Sequence, residues 1–287
     1  MREPDAGARQ RVIDYYRHWE SRWGYALLLR GTKHFGWYPP GRERIRMAAA
    51  QTLMSDQLGR ALALPAGRLA LDAGCGQGGV ALRLAEEFGL RVEGVDILPT
   101  DIRRASRKAA RRGAGDRVRF QVMDYGRLRF PDGHFDGVYT METLVHALDS
   151  RAVLAQFHRV LRPGGRLVLF EYSLAPRRLL TARQRQAFDA IIDRSAMHSL
   201  PTFVHGCFPA LLQAAGFEQV AVQDVTERML PMLRRLARRF WLPYQLSRAL
   251  GMRHQVVNAM SAVESWRHRA VWRYNIVTAA KPRAPDQ

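Results

Sequence analysis

Cysteine is scarce in this chain of 287 residues, which contains only Cys75 and Cys207. The two lie far apart and form no CxxC pair, so the sequence has neither a disulfide framework nor a cysteine zinc site. Long apolar runs are also missing, because no stretch reaches the roughly 18 to 20 residues of a membrane-spanning helix. The first residues, MREPDAGARQ, contain no apolar signal-peptide core. These absences predict a soluble protein of the reducing cytoplasm.

Lysine is nearly as rare. The chain has 45 basic and 26 acidic residues, a formal net charge of +19, yet only Lys33, Lys108 and Lys281 are lysines. Such a charge ordinarily indicates nucleic acid or an anionic membrane as the partner. The arginines are spread along the chain, however, and no basic tail or compact recognition motif is visible. Nucleic-acid binding is therefore disfavoured and is kept only as an alternative.

Short β-rich runs alternate with helical segments from about Arg68 onward. The predicted strands are Arg68–Asp72, Arg91–Val95, Val118–Val122, Phe135–Thr140, Arg166–Tyr172 and, near the end, Trp272–Ala279. The predicted helices between them are Val80–Phe88, Asp101–Arg112 and Arg151–Leu161. This alternation indicates an α/β fold with a Rossmann-like, doubly wound sheet.

Helical segments flank this core on both sides. An aromatic stretch, residues 15–38, precedes a predicted helix of roughly Arg42–Leu62. After the core, Thr181–Gly251 is largely helical, with expected interruptions at Pro201, Pro209, Pro231 and Pro243. We expect an N-terminal helical cap over residues 1–66 and an α/β domain over residues 67–287. A helical insertion, about residues 176–265, would precede the last strand.

The segment LALDAGCGQGGVALRLA, residues 69–85, predicts a strand, a glycine-rich turn and a helix start. Glycines let the backbone approach a ligand closely, and a helix N-terminus offers free N–H groups. Gly74, Gly76 and Gly79 satisfy GxGxxG, which also occurs in dinucleotide-dependent dehydrogenases. Asp72 weighs against a dinucleotide, because its carboxylate would repel a pyrophosphate and would suit a ligand that carries an ammonium group.

Acids also end the next two strands. Asp96, followed by Ile97, is placed to bind both hydroxyls of a ribose beside a purine, a feature that a dehydrogenase would share. Asp124, between Met123 and Tyr125, is placed to bind the exocyclic amine of adenine. Because the carboxyl ends of parallel strands meet at one edge of the sheet, the acids predict one site for a zwitterionic nucleoside cofactor.

This arrangement resembles the class I S-adenosylmethionine-dependent methyltransferases. Their motif of hydrophobic residues, acid, x, Gly, x, Gly, x, Gly is present as LALDAGCGQG, and the resemblance extends over roughly Arg68–Tyr172. It implies a seven-stranded sheet with an antiparallel last strand, and S-adenosyl-L-methionine as the cofactor. The cofactor-binding residues it implies are Asp72, Gly74, Cys75, Gly76, Gly78, Asp96, Ile97, Met123, Asp124, Tyr125 and Met141.

A narrower resemblance covers residues 15–41, YYRHWESRWGYALLLRGTKHFGWYPPG. The segment is similar to the N-terminal cap of the tocopherol, sterol and related small-molecule methyltransferases, although it lacks the histidine-rich stretch of the tocopherol enzymes. The identity of the substrate therefore does not carry over. The substrate-binding residues that this resemblance and the insertion suggest are Trp19, Trp23, His34, Phe35, Tyr38 and His205.

The stretch TMETLVHAL, residues 140–148, follows the fourth predicted strand and is expected to begin a helix. On a helix, Glu142 and His146 would share one face. They would form a structural pair, half of a metal site, or an acid–base pair that faces a substrate. Two ligands are too few for a metal, and no third follows in a recognisable spacing, so no metal is predicted. The same methyltransferases carry this motif at the fourth strand end, which favours catalytic roles for Glu142 and His146.

The stretch MLPMLRRLARRFWLPYQL, residues 229–246, places apolar residues at roughly helical spacing opposite arginines. The apolar residues are Leu230, Leu233, Ala237, Phe240, Trp241 and Tyr244. Three interpretations stay open. The helix is packed on the surface, or it is a lid that shields an oily substrate or rests on a membrane as a peripheral contact, or its arginines bind a diphosphate.

Together these patterns predict methyl transfer to a small, largely apolar metabolite, such as an isoprenoid, a sterol-like molecule or an aromatic natural product. C-methylation is slightly favoured over N- or O-methylation. The alternatives are an RNA-associated methyltransferase or basic RNA-binding protein, and a non-catalytic cofactor-binding protein.

Overall fold

The computed structural model describes residues 6–17, 33–250 and 256–283. Within them, seven strands form one sheet in the order β3-β2-β1-β4-β5-β7-β6. The strands are β1 (Leu69–Ala73), β2 (Arg91–Asp96), β3 (Val118–Val122), β4 (Phe135–Met141), β5 (Leu161–Leu174), β6 (Glu218–Asp224) and β7 (Trp272–Ala280). Strands β1 to β5 pair in parallel, and β7 is antiparallel to both of its neighbours. The predicted Rossmann-like α/β fold is confirmed.

Helices cover the sheet and extend beyond it. They are α1 (Ala6–Arg17), α2 (Met47–Leu62), α3 (Gly79–Glu87), α4 (Pro99–Arg111), α5 (Ser150–Val160), α6 (Ala182–Arg194), α7 (Cys207–Ala214), α8 (Thr226–Ala249) and α9 (Val257–Arg267). Helices α3, α4 and α5 each follow a parallel strand, as a doubly wound sheet requires. Across the described ranges, no helix combines the length and apolar content that crossing a membrane requires.

The core lies along the central strands. Every residue of β4 is buried, because helices cover both faces of the parallel sheet. Phe135 of β4, Phe157 of α5 and Phe170 of β5 are fully buried members of one apolar cluster. Burial of each such side chain contributes about 1.5 to 3 kcal/mol. The carboxyl ends of β1, β2, β4 and β5 are thereby fixed side by side at one edge of the sheet.

Two features of the C-terminal half differ from the sequence prediction. Strand β6 was not predicted, because six of its seven residues are exposed and give no core-facing pattern. Its pairing with β7 creates the strand. Helix α8 continues through Pro231 and Pro243, where interruptions were expected. A proline inside a helix costs about 3 kcal/mol, and here the burial of one long helix face offsets that cost.

The N-terminal region also departs from its prediction, because α2 begins at Met47 instead of Arg42. Before it, residues 33–38, the cap segment, run between α2 and α8. Trp37 donates its backbone N–H to the Ala50 carbonyl at 2.8 Å, and Tyr38 donates to the Arg228 carbonyl at 2.8 Å. The cap segment is thus tied to one helix on each side.

Gly36 is the closest point between the cap segment and α2. A Cβ atom there would lie 2.6 Å from the Ala50 Cβ and 2.9 Å from its backbone carbon. Only a residue without a side chain allows this approach, because contacts this short force the backbone apart.

We expect Gly36→Ala to lower the free energy of unfolding by about 1 to 3 kcal/mol, since the added methyl group overpacks the contact. Urea unfolding followed by circular dichroism measures the change. Gly115→Ala is the matched control, because a Cβ at Gly115 meets no heavy atom within 4 Å. Equal stability of the two variants would contradict this account of the cap segment.

Candidate active site

The glycine-rich turn between β1 and α3 forms the floor of a cavity of about 110 Å³, the glycine-turn cavity. Gly74, Gly76 and Gly78 have φ values of 90°, 50° and 72°, which favour glycine. A Cβ on Gly74 would lie 2.7 Å from the Thr143 side chain. The backbone N–H groups of Gly74 and Cys75 both donate to the Val95 carbonyl at 2.9 Å, which holds the turn against β2.

Asp72 lies at the carboxyl end of β1 and lines this cavity. The residue is only 3% exposed, and burial raises the pKa of its carboxyl group to about 7. Its Oδ2 atom has no hydrogen-bond partner within the described residues. A buried acceptor without a partner carries a desolvation cost that a cationic ligand group would offset. The site therefore fits a cofactor with an ammonium group.

Asp96 lies at the end of β2 on the same cavity. Its two carboxylate oxygens accept backbone N–H groups from Gly76 and Leu98, each at 2.9 Å. The side chain is therefore held in one orientation between the glycine turn and α4. Each oxygen retains a further lone pair, so the carboxylate can still accept from a ligand's hydroxyl groups.

Most of the predicted cofactor residues meet at this cavity. Those that line it are Asp72, Gly74, Cys75, Gly76, Asp96, Ile97, Tyr125 and Met141. Gly78, Met123 and Asp124 do not line it. The Asp124 side chain instead accepts the Gly126 N–H at 2.8 Å and caps a short turn.

Sequence reasoning missed several lining residues. They are Val12, Lys33, Gln77, Gly79, Val80, Leu98, Asp101, Lys108 and Thr143. Gln77 and Gly79 belong to the glycine motif and could have been predicted from the sequence. The place of Lys33 could not, because its ammonium group pairs with Asp101, 68 residues away in the chain, at 3.0 Å.

A second cavity of about 170 Å³, the helical cavity, lies between the ends of β5 and β7 and helices α6, α8 and α9. Its walls are mostly apolar or aromatic. The lining residues from these elements include Tyr172, Leu174, Phe188, Ile191, Met232, Leu233, Leu236, Phe240, Ala262 and Trp272. Helix α8 thus supplies part of the wall.

Four of the described residues line both cavities: Lys33, His34, Glu142 and His146. Glu142 and His146, the predicted catalytic residues, therefore stand where the two cavities adjoin. A group bound in one cavity and a molecule bound in the other would both reach these side chains.

Glu142 does not begin a helix, contrary to the sequence prediction. Its φ of 59° is in the left-handed region, which is uncommon for a residue with a side chain, and a short 3-10 turn starts only at Leu144. Glu142 is still hydrogen-bonded to β5, since its N–H donates to the Phe170 carbonyl at 2.8 Å, and the chain turns away from β4 at this residue. That turn is the reason why no helix begins here. Glu142 and His146 consequently do not stack along one helix face. Strained backbone of this kind recurs at functional sites.

The Glu142 carboxylate accepts three hydrogen bonds. Oε1 accepts the Phe35 backbone N–H at 2.7 Å and the Tyr274 hydroxyl at 2.8 Å, and Oε2 accepts the Tyr172 hydroxyl. Removal from water raises the pKa of Glu142 to about 7, although these donors lower it. Near neutral pH the carboxyl group therefore exists in both protonation states.

His146 and His34 are both buried and line the same two cavities as Glu142. Burial lowers the pKa of each imidazole to about 4, so both rings are neutral at neutral pH. The His146 Nδ1 lies 3.1 Å from the Ala196 carbonyl oxygen. Because a carbonyl only accepts, Nδ1 carries the proton and Nε2 is the basic nitrogen of the ring.

Glu171 lies beneath this loop, and sequence reasoning missed it. Its Oε1 accepts the Leu144 N–H at 2.6 Å, and burial raises the pKa of its carboxyl group to about 8. The side chain thus supports the turn that carries His146. An acid within the apolar strand LVLFEYSL was the available signal, because an acidic side chain in a buried strand needs a specific partner.

Two predicted substrate residues lie away from the helical cavity. Tyr38 is 1% exposed and packs under the guanidinium group of Arg235, 5.3 Å from the ring centroid. His205 instead faces the Ser173 hydroxyl at 2.9 Å. Both predictions were based on short sequence motifs, and such motifs do not show which cavity or which neighbour a side chain faces. Trp19 and Trp23 lie outside the described residues, whereas His34 and Phe35 line the cavity.

Comparison with known proteins agrees with this site. A family model described as a methyltransferase domain matches residues 70–165. The S-adenosyl-L-methionine-dependent Diels-Alderase iccD of Talaromyces variabilis is 34% identical over 284 residues, 97% of each chain. The 27-O-demethylrifamycin SV methyltransferase of Amycolatopsis mediterranei is 34% identical over 211 residues, 72% of this chain and 74% of that one.

The fold also matches solved structures. The [4+2]-cyclase SpnF superposes with a TM-score of 0.74 at 24% identity, over 92% of this chain and 95% of that chain. The sheet and the glycine-turn cavity define an α/β protein that binds a nucleoside cofactor bearing a cation. The chain belongs to the S-adenosylmethionine-dependent methyltransferases, its cofactor is S-adenosyl-L-methionine, and both predictions are confirmed.

We expect Asp72→Asn to weaken S-adenosylmethionine binding about tenfold to a hundredfold, because the amide keeps the shape of the side chain but loses the charge that faces the ammonium group. Isothermal titration calorimetry measures the affinity. Asn should not destabilise the fold, since the buried carboxylate has a raised pKa.

Asp132→Asn is the control for this substitution, because the Asp132 side chain is 79% exposed and lies outside both cavities. A folded Asp72→Asn variant with unchanged affinity would refute the assignment of Asp72 to the ammonium group.

Proposed function

We propose that the protein transfers a methyl group to a small, largely apolar and uncharged metabolite, such as an isoprenoid, a sterol-like molecule or an aromatic natural product, bound in the helical cavity. The observation that carries this proposal is the position of Glu142, which lines both cavities with a carboxylate held by three donors. An acceptor in the helical cavity would lie beside that carboxylate and face the cofactor.

The charges around the helical cavity favour an uncharged acceptor. Among the described residues that line it, none is an arginine, and Lys33 is already paired with Asp101. Arg235 of α8 donates to the Ile45 carbonyl at 2.6 Å and covers Tyr38. A diphosphate would need charge-assisted donors, and the described lining of this cavity offers no arginine and no unpaired lysine for that role. We therefore set aside the diphosphate interpretation of α8.

Bound S-adenosylmethionine supplies an electrophilic methyl group on a sulfonium. The protein contributes position, a dry cavity and a base. Ionised Glu142 would take the proton that the acceptor loses, whether from a hydroxyl group or from carbon after attack on the methyl group. Neutral His146 would orient the acceptor or relay the proton through its basic Nε2.

Aromatic rings beside Glu142 favour carbon as the attacked atom. Phe35 and Tyr172 meet edge to face with their ring centroids 6.3 Å apart, and Tyr172 meets Trp272 at 6.1 Å. Alkene attack on a methyl group leaves a carbocation, which aromatic faces and a carboxylate stabilise. We therefore place C-methylation slightly ahead of O- or N-methylation.

The helical segments would keep water out of this chemistry. We assign the cap role to residues 1–66 and the lid role to the helices of the insertion at about residues 176–265, within which β6 belongs to the sheet. The cap segment supports this assignment through the Phe35 bond to Glu142 and the Lys33 pair with Asp101. Both contacts join residues that line the cavities, so movement of the cap would change the cavity walls. Exclusion of water strengthens the electrostatic interactions inside.

A second candidate function is a [4+2] cyclisation without methyl transfer. It is favoured by the 34% identity to a Diels-Alderase that extends over 97% of both chains. The apolar helical cavity would fold a polyene so that its two reacting ends meet, which is catalysis by proximity. Such a product has the same mass as its substrate, whereas a methylated product is heavier.

The two functions are separated by incubating the protein with methyl-labelled S-adenosylmethionine and a metabolite extract. Mass spectrometry of the extract identifies the products. A labelled product supports methyl transfer, and an unlabelled isomer that forms only with the protein supports cyclisation. Absence of both would contradict the proposal.

We expect Glu142→Gln and His146→Ala to reduce methyl transfer at least about tenfold while cofactor affinity stays unchanged. At saturating S-adenosylmethionine, whose ammonium group would keep Asp72 ionised, wild-type activity should rise with pH to half its plateau near pH 7, because only the ionised form of Glu142, whose pKa is about 7, takes a proton. The rise should be absent in Glu142→Gln. His146 adds no such rise, because its pKa of about 4 leaves it neutral throughout.

Glu218→Gln, an exposed change on β6, is the control for these variants. Full activity in both Glu142→Gln and His146→Ala would assign the pair a purely structural role. Loss of cofactor binding in either variant would show a disrupted site, and calorimetry detects that outcome separately.

A further inference from the structure

We propose that the C-terminal half of α8 docks on the surface of a membrane that contains anionic phospholipids. This part of the helix presents four large apolar side chains to solvent, the docking face. They are Trp241, Leu242, Leu246 and Leu250, with exposed fractions of 53%, 58%, 56% and 69%. Large side chains exposed together on one helix mark an interaction surface more often than chance scatter does.

The docking face is continuous along the helix. Leu242, Leu246 and Leu250 are spaced by four residues and form one stripe, and Trp241 lies at its edge. The other side of α8 is committed to the protein, since Ala237 and Tyr244 are buried. Helix α8 is thus apolar on two sides, and only one of them has a partner in the described structure.

Positive charge lies among these apolar residues. Arg238 and Arg239 are exposed and precede Leu242 by four and three residues, so they lie on the same side of the helix. The sequence contains no Asp or Glu from residue 228 to residue 263. The surface around the docking face therefore carries arginines without acidic residues from its own segment.

This combination selects one partner. A second copy of the chain, docked face to face, would bring arginines against arginines with no acid from this segment between them. Nucleic acid would satisfy the arginines, but its phosphate backbone would leave the leucines exposed to water. An anionic phospholipid surface satisfies both groups, because leucines and a tryptophan enter the interface while arginines meet the headgroups.

The position of α8 connects this surface with the site. Phe240, next to Trp241, lines the helical cavity together with Leu233 and Leu236 of the same helix. A membrane contact would therefore place one wall of the helical cavity close to the phase in which an apolar metabolite dissolves. The docking face itself does not depend on which reaction the site performs.

The test is co-sedimentation of the full chain with vesicles of phosphatidylcholine alone and of phosphatidylcholine mixed with phosphatidylglycerol. We expect binding to the mixed vesicles and weak binding to the neutral ones. Two multiple variants test the apolar and the cationic residues separately. The serine variant is Trp241→Ser/Leu242→Ser/Leu246→Ser, and the arginine variant is Arg238→Gln/Arg239→Gln. Each should weaken binding to mixed vesicles by about tenfold or more.

Matched controls remove similar groups elsewhere on the surface. Leu179→Ser/Val222→Ser removes side chains that are 66% and 41% exposed, and Arg103→Gln/Arg107→Gln removes two exposed arginines of α4. Both controls should bind like the wild type. If the arginine control loses as much binding as Arg238→Gln/Arg239→Gln, the attraction is only the net charge and the proposal fails.

Other outcomes would also overturn it. They are no binding to mixed vesicles, retention of binding in the serine variant, and a dimer in sedimentation velocity that only the serine variant dissociates. If added RNA competes with the vesicles and removes the difference in vesicle binding between the serine variant and its control, nucleic acid would be the favoured partner.

Calorimetry with S-adenosylmethionine checks whether each variant is folded. If the serine variant is unfolded, the arginine variant alone provides the test. No acceptor is needed, so the result is independent of the proposed function.

Discussion

The enclosed carboxylate of Glu142 is the interaction on which the site depends. Its three donors come from the cap segment, β5 and β7, which are distant from one another in sequence and converge on this side chain. Taking a carboxylate out of water costs several kcal/mol, and hydrogen bonds to a charged group return about 1.5 to 3 kcal/mol each. The carboxylate is therefore stable only while the cap is docked and both tyrosines are in place. A change in the position of the cap or in the order of the strands would therefore change the protonation state of Glu142.

At or near the ends of neighbouring strands lie described carboxyl groups whose pKa values are raised by burial, among them Asp96 on β2. Asp72 is on β1, Glu142 directly follows β4, and Glu171 is on β5, with pKa values of about 7, 7 and 8. Burial raises each value, and the negative charge of Glu142 further raises the pKa of Glu171. Such a site favours positive charge in its ligands. A sulfonium cofactor with an ammonium group matches that preference, and so would the carbocation of the proposed C-methylation.

Helix α8 connects the interior of the protein with its surface. Leu233, Leu236 and Phe240 close the helical cavity, and the next turns expose Trp241 and three leucines. The sequence left this helix open as a packed helix, a lid over an oily substrate, a peripheral membrane contact or a diphosphate site. In the structure one face of the helix packs against the protein and lines the helical cavity, while none of its arginines lines that cavity. Apolar periodicity alone does not distinguish a helix face that lines a cavity from a helix face that is exposed to solvent, because both consist of the same residue types.

The sequence by itself determined six of the seven described strands, and the glycine turn with the acids Asp72 and Asp96 beside it. Local rules suffice to predict these features, because each rule acts within a short stretch of chain. The rules are strand and helix periodicity, glycines that permit positive φ, and acids at strand ends. It did not determine β6, the course of α8 through two prolines, or the turn at Glu142, because distant partners decide these features. Tertiary structure alone also placed Glu171 under the loop, paired Lys33 with Asp101, and moved Tyr38 and His205 away from the helical cavity. The physical reason is that a side chain's partners across the fold, and not its sequence neighbours, fix which cavity it faces.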